Sequence, residues 1–107
     1  MGQDTELTAL TLSQARDGLR AKEFSARELT QSFVDRVAAS EKLNAYILQT
    51  PERALEAADQ SDARLGTDGA RPLEGLPIGV KDLFCTNGVR TTACSNILGD
   101  FTPTYES

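Results

Sequence analysis

Apolar positions keep a helical rhythm up to about residue 65 and a different one after it. Leu12, Ala15 and Leu19 fall on one side of a helix, and Thr11 with Gln14 makes the Thr-x-x-Gln pattern of a capping box. Together they predict a helix from about Ser13 to Ala21. Gly18 in its interior weakens it by up to about 1 kcal/mol relative to alanine, so it needs packing to persist. A second helix is better specified. Ser25 and Glu28 form another capping box, Phe24 and Leu29 stand at hydrophobic-staple spacing, and Leu29, Phe33 and Val37 recur every four residues with Val34 widening the stripe. Arg27, Glu28, Asp35 and Arg36 take the wetter sides and read as a solvated face. A third helix opens at Thr50-Pro51-Glu52, with a capping residue, a proline at the first helical position and an acid in the first turn. Ala54, Leu55, Ala57, Ala58 and Ala63 give it a small-residue surface, and Gly66 ends it.

Two stretches alternate at strand spacing. Asn44 to Gln49 is a short candidate. The run Ile78 to Phe84, approached through Pro72, Gly75 and Pro77, has the apolar density of a buried strand and carries Lys81 in its middle. Alternation puts Ile78, Val80, Asp82 and Phe84 on one face and Gly79, Lys81 and Leu83 on the other. Burial there would strip water from the amine and favour its neutral form, as a lysine base requires. A lysine near a strand end also commonly snorkels to solvent with no chemical role, and both readings stand on the pattern alone. The loop of residues 66–72 separates the two halves, and Thr86-Asn87-Gly88-Val89 reads as a turn with left-handed backbone at Asn-Gly. Ser95 reads as a loop hydroxyl, since the chain has no histidine to activate it. Residues 1–10 read as a frayed start, and the tail from Asp100 shows no helix or stop signal.

Composition narrows the classes. The chain has 107 residues, enough for one small domain, and a net charge of −5 with a pI near 4.6. The acidic excess lies mainly in the first 70 residues, and no basic patch is expected to grip phosphates directly. No apolar run approaches membrane-spanning length, the polar start does not look like a signal peptide, and Glu6 stands where a myristoylation motif wants Ser or Thr. The chain therefore reads as cytoplasmic. Cys85 and Cys94 lack metal-ligand spacing and read as free thiols. Gly75 and Gly79 do not make a phosphate-binding loop.

Gly75-Leu76-Pro77-Ile78-Gly79-Val80-Lys81-Asp82, followed by Gly88-Val89-Arg90-Thr91-Thr92 and Ser95-Asn96-Ile97-Leu98, closely resembles the first catalytic segment of the amidase signature family. Ser25-Ala26-Arg27-Glu28-Leu29 and Leu43-Asn44-Ala45-Tyr46 extend the likeness toward the start. The resemblance implies an α/β fold, a mixed sheet covered by helices on both sides. This chain would be its incomplete N-terminal part, with a frayed start at 1–10, a helical layer over 11–65 and the start of the catalytic core, including the first core strands, over 73–107. It also implies that Lys81 is the catalytic lysine of a Ser–Ser–Lys triad whose two serines lie downstream of Ser107. Within the family the likeness is to the branch that hydrolyses glutamine inside tRNA-dependent amidotransferases. That branch passes ammonia to a partner subunit, where ATP and Mg serve the amidation of misacylated Glu-tRNA(Gln) or Asp-tRNA(Asn). No cofactor is expected on this chain, tRNA is expected only through the complex, and the 107 residues alone are expected to be inactive and prone to self-association. A helical interaction module without chemistry, or part of an amidase acting on small carboxamides, are the alternatives.

Overall fold

A computed structural model describes residues 7–107. The elements are α1 (Leu12–Arg20), α2 (Ala26–Ala39), a single 3-10 turn (Glu41–Leu43) and α3 (Pro51–Arg64), so the three helices expected from the apolar rhythm are formed. The described residues divide into two compact units, one comprising residues 7–45 with 49–77 and the other residues 46–48 with 78–107.

In the helical unit both expected capping boxes close reciprocally, Thr11 with Gln14 and Ser25 with Glu28. These ends are satisfied locally, which is why they were legible in sequence. Thr50 takes the position before α3 but its side chain makes no capping hydrogen bond, contrary to the sequence reading. α1 ends by the two reverse bonds of a Schellman turn, Lys22 N–H to the Leu19 carbonyl and Glu23 N–H to that of Gly18, with Lys22 in the left-handed region at φ 59°. The core is Leu7, Ala15, Leu19, Ala26, Leu29 and Ala58, with Phe24, Phe33, Leu65 and Leu76 packed against it. Of the start expected to fray, residues 1–6 lie outside the described residues, whereas Leu7 is buried.

Gly18 has a role that its helix propensity hides. A Cβ at this position would lie 2.4 Å from the Phe24 ring, so the missing side chain is what lets that ring lie against α1. Long-range polar groups then tie the elements together. Both oxygens of the Asp62 carboxylate, from the last turn of α3, accept N–H groups of the first turn of α2: Ala26 at 2.7 Å and Arg27 at 3.1 Å. Arg27, expected to be merely solvated, pairs with Asp59 at 2.6 Å, although both are half exposed and such pairs contribute little. Glu74 is the strongest tie. Its side chain is 1% exposed and accepts from the Ser61 hydroxyl at 2.6 Å and from the Arg64 and Arg71 guanidinium groups at 3.0–3.2 Å. Those groups, Arg64 foremost, hold its carboxyl far below the usual carboxylate range against the opposing effect of burial. Gly75 follows at φ 83°, and a Cβ there would meet Ala26 at 3.0 Å.

The second unit corrects the sheet expectation. Among the described residues the only β pairing is an isolated antiparallel bridge, Thr86 with Val89, and neither Asn44–Gln49 nor Ile78–Phe84 is a strand. The physical reason is the lack of a partner. A strand is held by bonds to a neighbour, and Ile78, Gly79 and Val80 make no backbone hydrogen bond among the described residues. Ile78 is 77% exposed, and Val80, Leu83 and Phe84 are exposed as well. At the other candidate, Asn44 turns left-handed at φ 48°. At the 86–89 turn, Gly88 alone takes positive φ, at 79°. The tail, unread in sequence, runs back antiparallel along 85–91: Gly88 N–H bonds to Pro103 O at 2.9 Å, Thr91 N–H to Phe101 O at 2.9 Å and Ser107 N–H to Cys85 O at 3.0 Å. Pro103 is fully buried there.

Candidate active site around Lys81

Lys81 stands at the boundary between an unheld and a firmly held segment. The three residues before it have no regular secondary structure and no backbone hydrogen bond among the described residues. After it the chain turns, because the Lys81 carbonyl accepts from Leu83 N–H at 2.8 Å and Phe84 N–H at 3.1 Å. The amine is exposed and has no hydrogen-bond or ion-pair partner among the described residues, so the burial expected from the strand pattern is not realised in these 107 residues. It is also not locked against a carboxylate. Asp82, next in sequence, is directed elsewhere.

Asp82 grips the loop at 91–94 through three acceptors. Its carboxylate takes the Thr92 N–H at 2.9 Å on one oxygen and the Thr92 hydroxyl on the other, and its carbonyl takes the Ala93 N–H at 2.7 Å. The Thr92 hydroxyl oxygen in turn accepts the Cys94 N–H at 3.1 Å. These bonds hold Ala93 and Cys94 in the left-handed region, at φ 50° and 60°, a conformation that costs roughly 1–2 kcal/mol for each residue with a Cβ. Thr91 and Thr92 are buried, with the Thr91 hydroxyl donating to the Val89 carbonyl. The Thr92 hydroxyl and N–H lower the Asp82 carboxyl below its ordinary range. Alternation put Asp82 and Lys81 on opposite faces of a strand that is not formed here, and nothing in it pointed to Thr92. The signal available was the Thr91-Thr92 pair, which belongs to the matched family stretch.

Other candidates resolve into structure. Ser95 Oγ accepts the Ile97 N–H at 3.2 Å, the geometry of a turn hydroxyl. Cys85 is half-buried and Cys94 exposed, both as free thiols. Arg16, Arg20, Arg71 and Glu74 are among the residues lining a cavity of about 390 Å³ in the helical unit. Folding therefore gathers cations that the linear sequence keeps apart, but each has an acceptor: Asp17 for Arg16, the Pro72 carbonyl for Arg20 and Glu74 for Arg71. Among the described residues no three Cys, Asp or Glu side chains are grouped to hold a metal ion. No helix among them is long and apolar enough to cross a membrane.

The sequence profile of the Amidase family matches residues 28–107, which takes in Lys81, Asp82 and Thr92. The chain belongs to the amidase family. It is 58% identical over 103 residues to the A subunit of the glutamyl-tRNA(Gln) amidotransferase of Hyphomonas neptunium, covering 96% of this chain and 21% of that protein. The corresponding protein of Caulobacter vibrioides is 60% identical over 101 residues, with 94% and 21% covered, and that of Azorhizobium caulinodans 59% over 103 residues, with 96% and 21% covered. The chain thus spans about a fifth of the length of these relatives, in their N-terminal part.

Proposed function

We propose that this amidase chain is the N-terminal part of the glutamine-hydrolysing subunit of a cytoplasmic tRNA-dependent amidotransferase, and that Lys81 is its lysine base. The observation that carries the reading is the 58–60% identity sustained over nearly the whole chain to amidotransferase subunits. In this reading a serine supplied by sequence beyond these residues attacks the glutamine carboxamide, and Lys81, acting through a second hydroxyl, takes the serine's proton and delivers one to the departing ammonia. Ammonia passes to a partner subunit, where ATP and Mg serve amidation of the aminoacyl-tRNA. The 107 residues alone carry no turnover. Support for a part of a larger domain, over a self-contained helical module, comes from Ile78–Val80, which have no backbone hydrogen bond among the described residues: an evolved module does not leave such backbone beside exposed apolar side chains.

The test is a hybrid in which these 107 residues replace the matching stretch of the Caulobacter vibrioides relative. Ammonia release from glutamine is measured in the presence of that relative's partner subunits. The hybrid is expected to be active and the isolated chain to give nothing above background. Glutamine turnover by the isolated chain that vanishes in Lys81→Ala would refute the inactive-part reading, and a folded hybrid that leaves glutamine untouched would refute the glutaminase reading. Size-exclusion chromatography of the isolated chain separates the module alternative, which predicts a monodisperse species.

A further inference from the structure

We propose that Asp82 is a positioning residue for Lys81: by gripping Thr92 and Ala93 it sets the backbone from which the amine projects. The inference rests on Lys81 being the base of the reading above, and adds to it how the base is held. Lys81 has hydrogen-bonded backbone on one side only. Among the described residues Ile78, Gly79 and Val80 make no backbone bonds, whereas Asp82 makes three bonds to the buried Thr92 and its neighbour Ala93. The turn formed by the Lys81 carbonyl with Leu83 and Phe84 is local and moves with the residue, so it cannot fix Lys81 relative to anything else. The Asp82 grip is the connection nearest to Lys81 that refers it to a second segment, ten residues on, ahead of the Cys85–Ser107 pairing beyond the turn, and that segment is itself tied by Thr91 N–H to the Phe101 carbonyl. Asp82 is suited to this because a carboxylate can accept the hydroxyl and the amide of one threonine at once. A carboxamide at the same position has only one oxygen to offer. The arrangement also engages the carboxylate away from the amine, and Lys81 has no ion-pair partner among the described residues.

The experiment compares wild type, Asp82→Asn, Thr92→Val and Thr92→Ser in two settings. In the 107-residue chain, NMR reads amide exchange at Thr92 and Ala93 and the heteronuclear NOE at Lys81. Asp82→Asn and Thr92→Val are expected to speed exchange at least tenfold and to lower the Lys81 NOE, while Thr92→Ser matches wild type. In the hybrid with the Caulobacter vibrioides relative, the first two are expected to lower kcat about 30-fold or more with KM changed less than twofold. Thr92→Ser is expected to stay within threefold of wild type. Faster exchange at Thr92 and Ala93 with an unchanged Lys81 NOE overturns the proposal, as does an unchanged kcat per folded hybrid. An inactive wild-type hybrid counts against the glutaminase reading instead, and the NMR comparison then decides the positioning role by itself. If Asp82→Asn does not fold in the hybrid, the Thr92→Val and Thr92→Ser pair carries the same decision.

Discussion

In the helical unit Leu19 and Leu29 are almost completely buried, and carboxylates at Asp62 and Glu74 bind elements far apart in sequence. From Ile78 onward the balance is reversed. There Thr91, Thr92 and Pro103 are buried while Ile78, Phe84 and Ile97 are exposed, and order comes from backbone pairing with the tail and from the Asp82 grip. Burial of a Leu side chain contributes roughly 1.5–3 kcal/mol, whereas a net hydrogen bond contributes about 1 kcal/mol. The first unit therefore has its own source of cohesion. The second has the polar bonds of a folded segment without the apolar cover that ordinarily accompanies them. In relatives five times as long, such cover has ample sequence from which to come.

The sharpest way to separate the two regions is by what each loses. In the hybrid, Lys81→Ala is expected to reduce glutamine turnover by on the order of 10³-fold or more, while the circular-dichroism melt of the helices stays in place. A melt that falls along with activity breaks the separation. Leu29→Ala acts in the other region: with the side chain fully buried it should cost about 3 kcal/mol in a denaturant titration of the 107-residue chain. A loss under 1 kcal/mol means that the helical unit is not held by its core.

Glu74→Gln should cost about 2 kcal/mol, because a neutral amide replaces the acceptor of two guanidinium groups in a buried position. The wild-type carboxyl also fixes the direction of the pH dependence. Its folded pKa lies below its unfolded value of about 4.3, so the unfolded state binds the proton more readily and stability falls with acid. The contribution is present in full above about pH 5 and is lost progressively as pH drops from there toward the depressed folded value. Glu74→Gln should flatten that part of the stability profile, and a profile identical to wild type contradicts the lock.

Gly18→Ala is expected to destabilise by about 1 kcal/mol, displacement of the Phe24 ring outweighing the better helix propensity of alanine. A stabilised variant shows instead that the ring yields easily. Smallest of all, Ile97→Ser should change stability by less than about 0.5 kcal/mol, since Ile97 is 94% exposed. A larger loss uncovers packing in the second unit that the comparison denies it.

What could be read in advance follows the range of each interaction. The Thr11–Gln14 and Ser25–Glu28 boxes close within four residues, so their partners are visible side by side. The Asp82–Thr92 grip spans ten residues and the Asp62 cap on α2 thirty-six, and no periodicity announces either. Lys81 was found by its oddity in an apolar run together with the family motif. The expectation of its burial failed because the run was read as a finished strand, and a strand is finished only by a neighbour.

The order of residues by itself determined three helices, the capping boxes of the first two and membership of a family, because helices close their hydrogen bonds within the segment that forms them. The tertiary structure alone decided which charges are structural. Glu74 is one acid among sixteen until Ser61, Arg64 and Arg71 surround it, and Asp82 is only a neighbour of lysine until Thr92 folds back onto it. It also decided that Ile78–Val80 are without a strand partner among the described residues. Burial and strand pairing belong to the partner as much as to the segment, and no stretch of sequence carries its partner within itself.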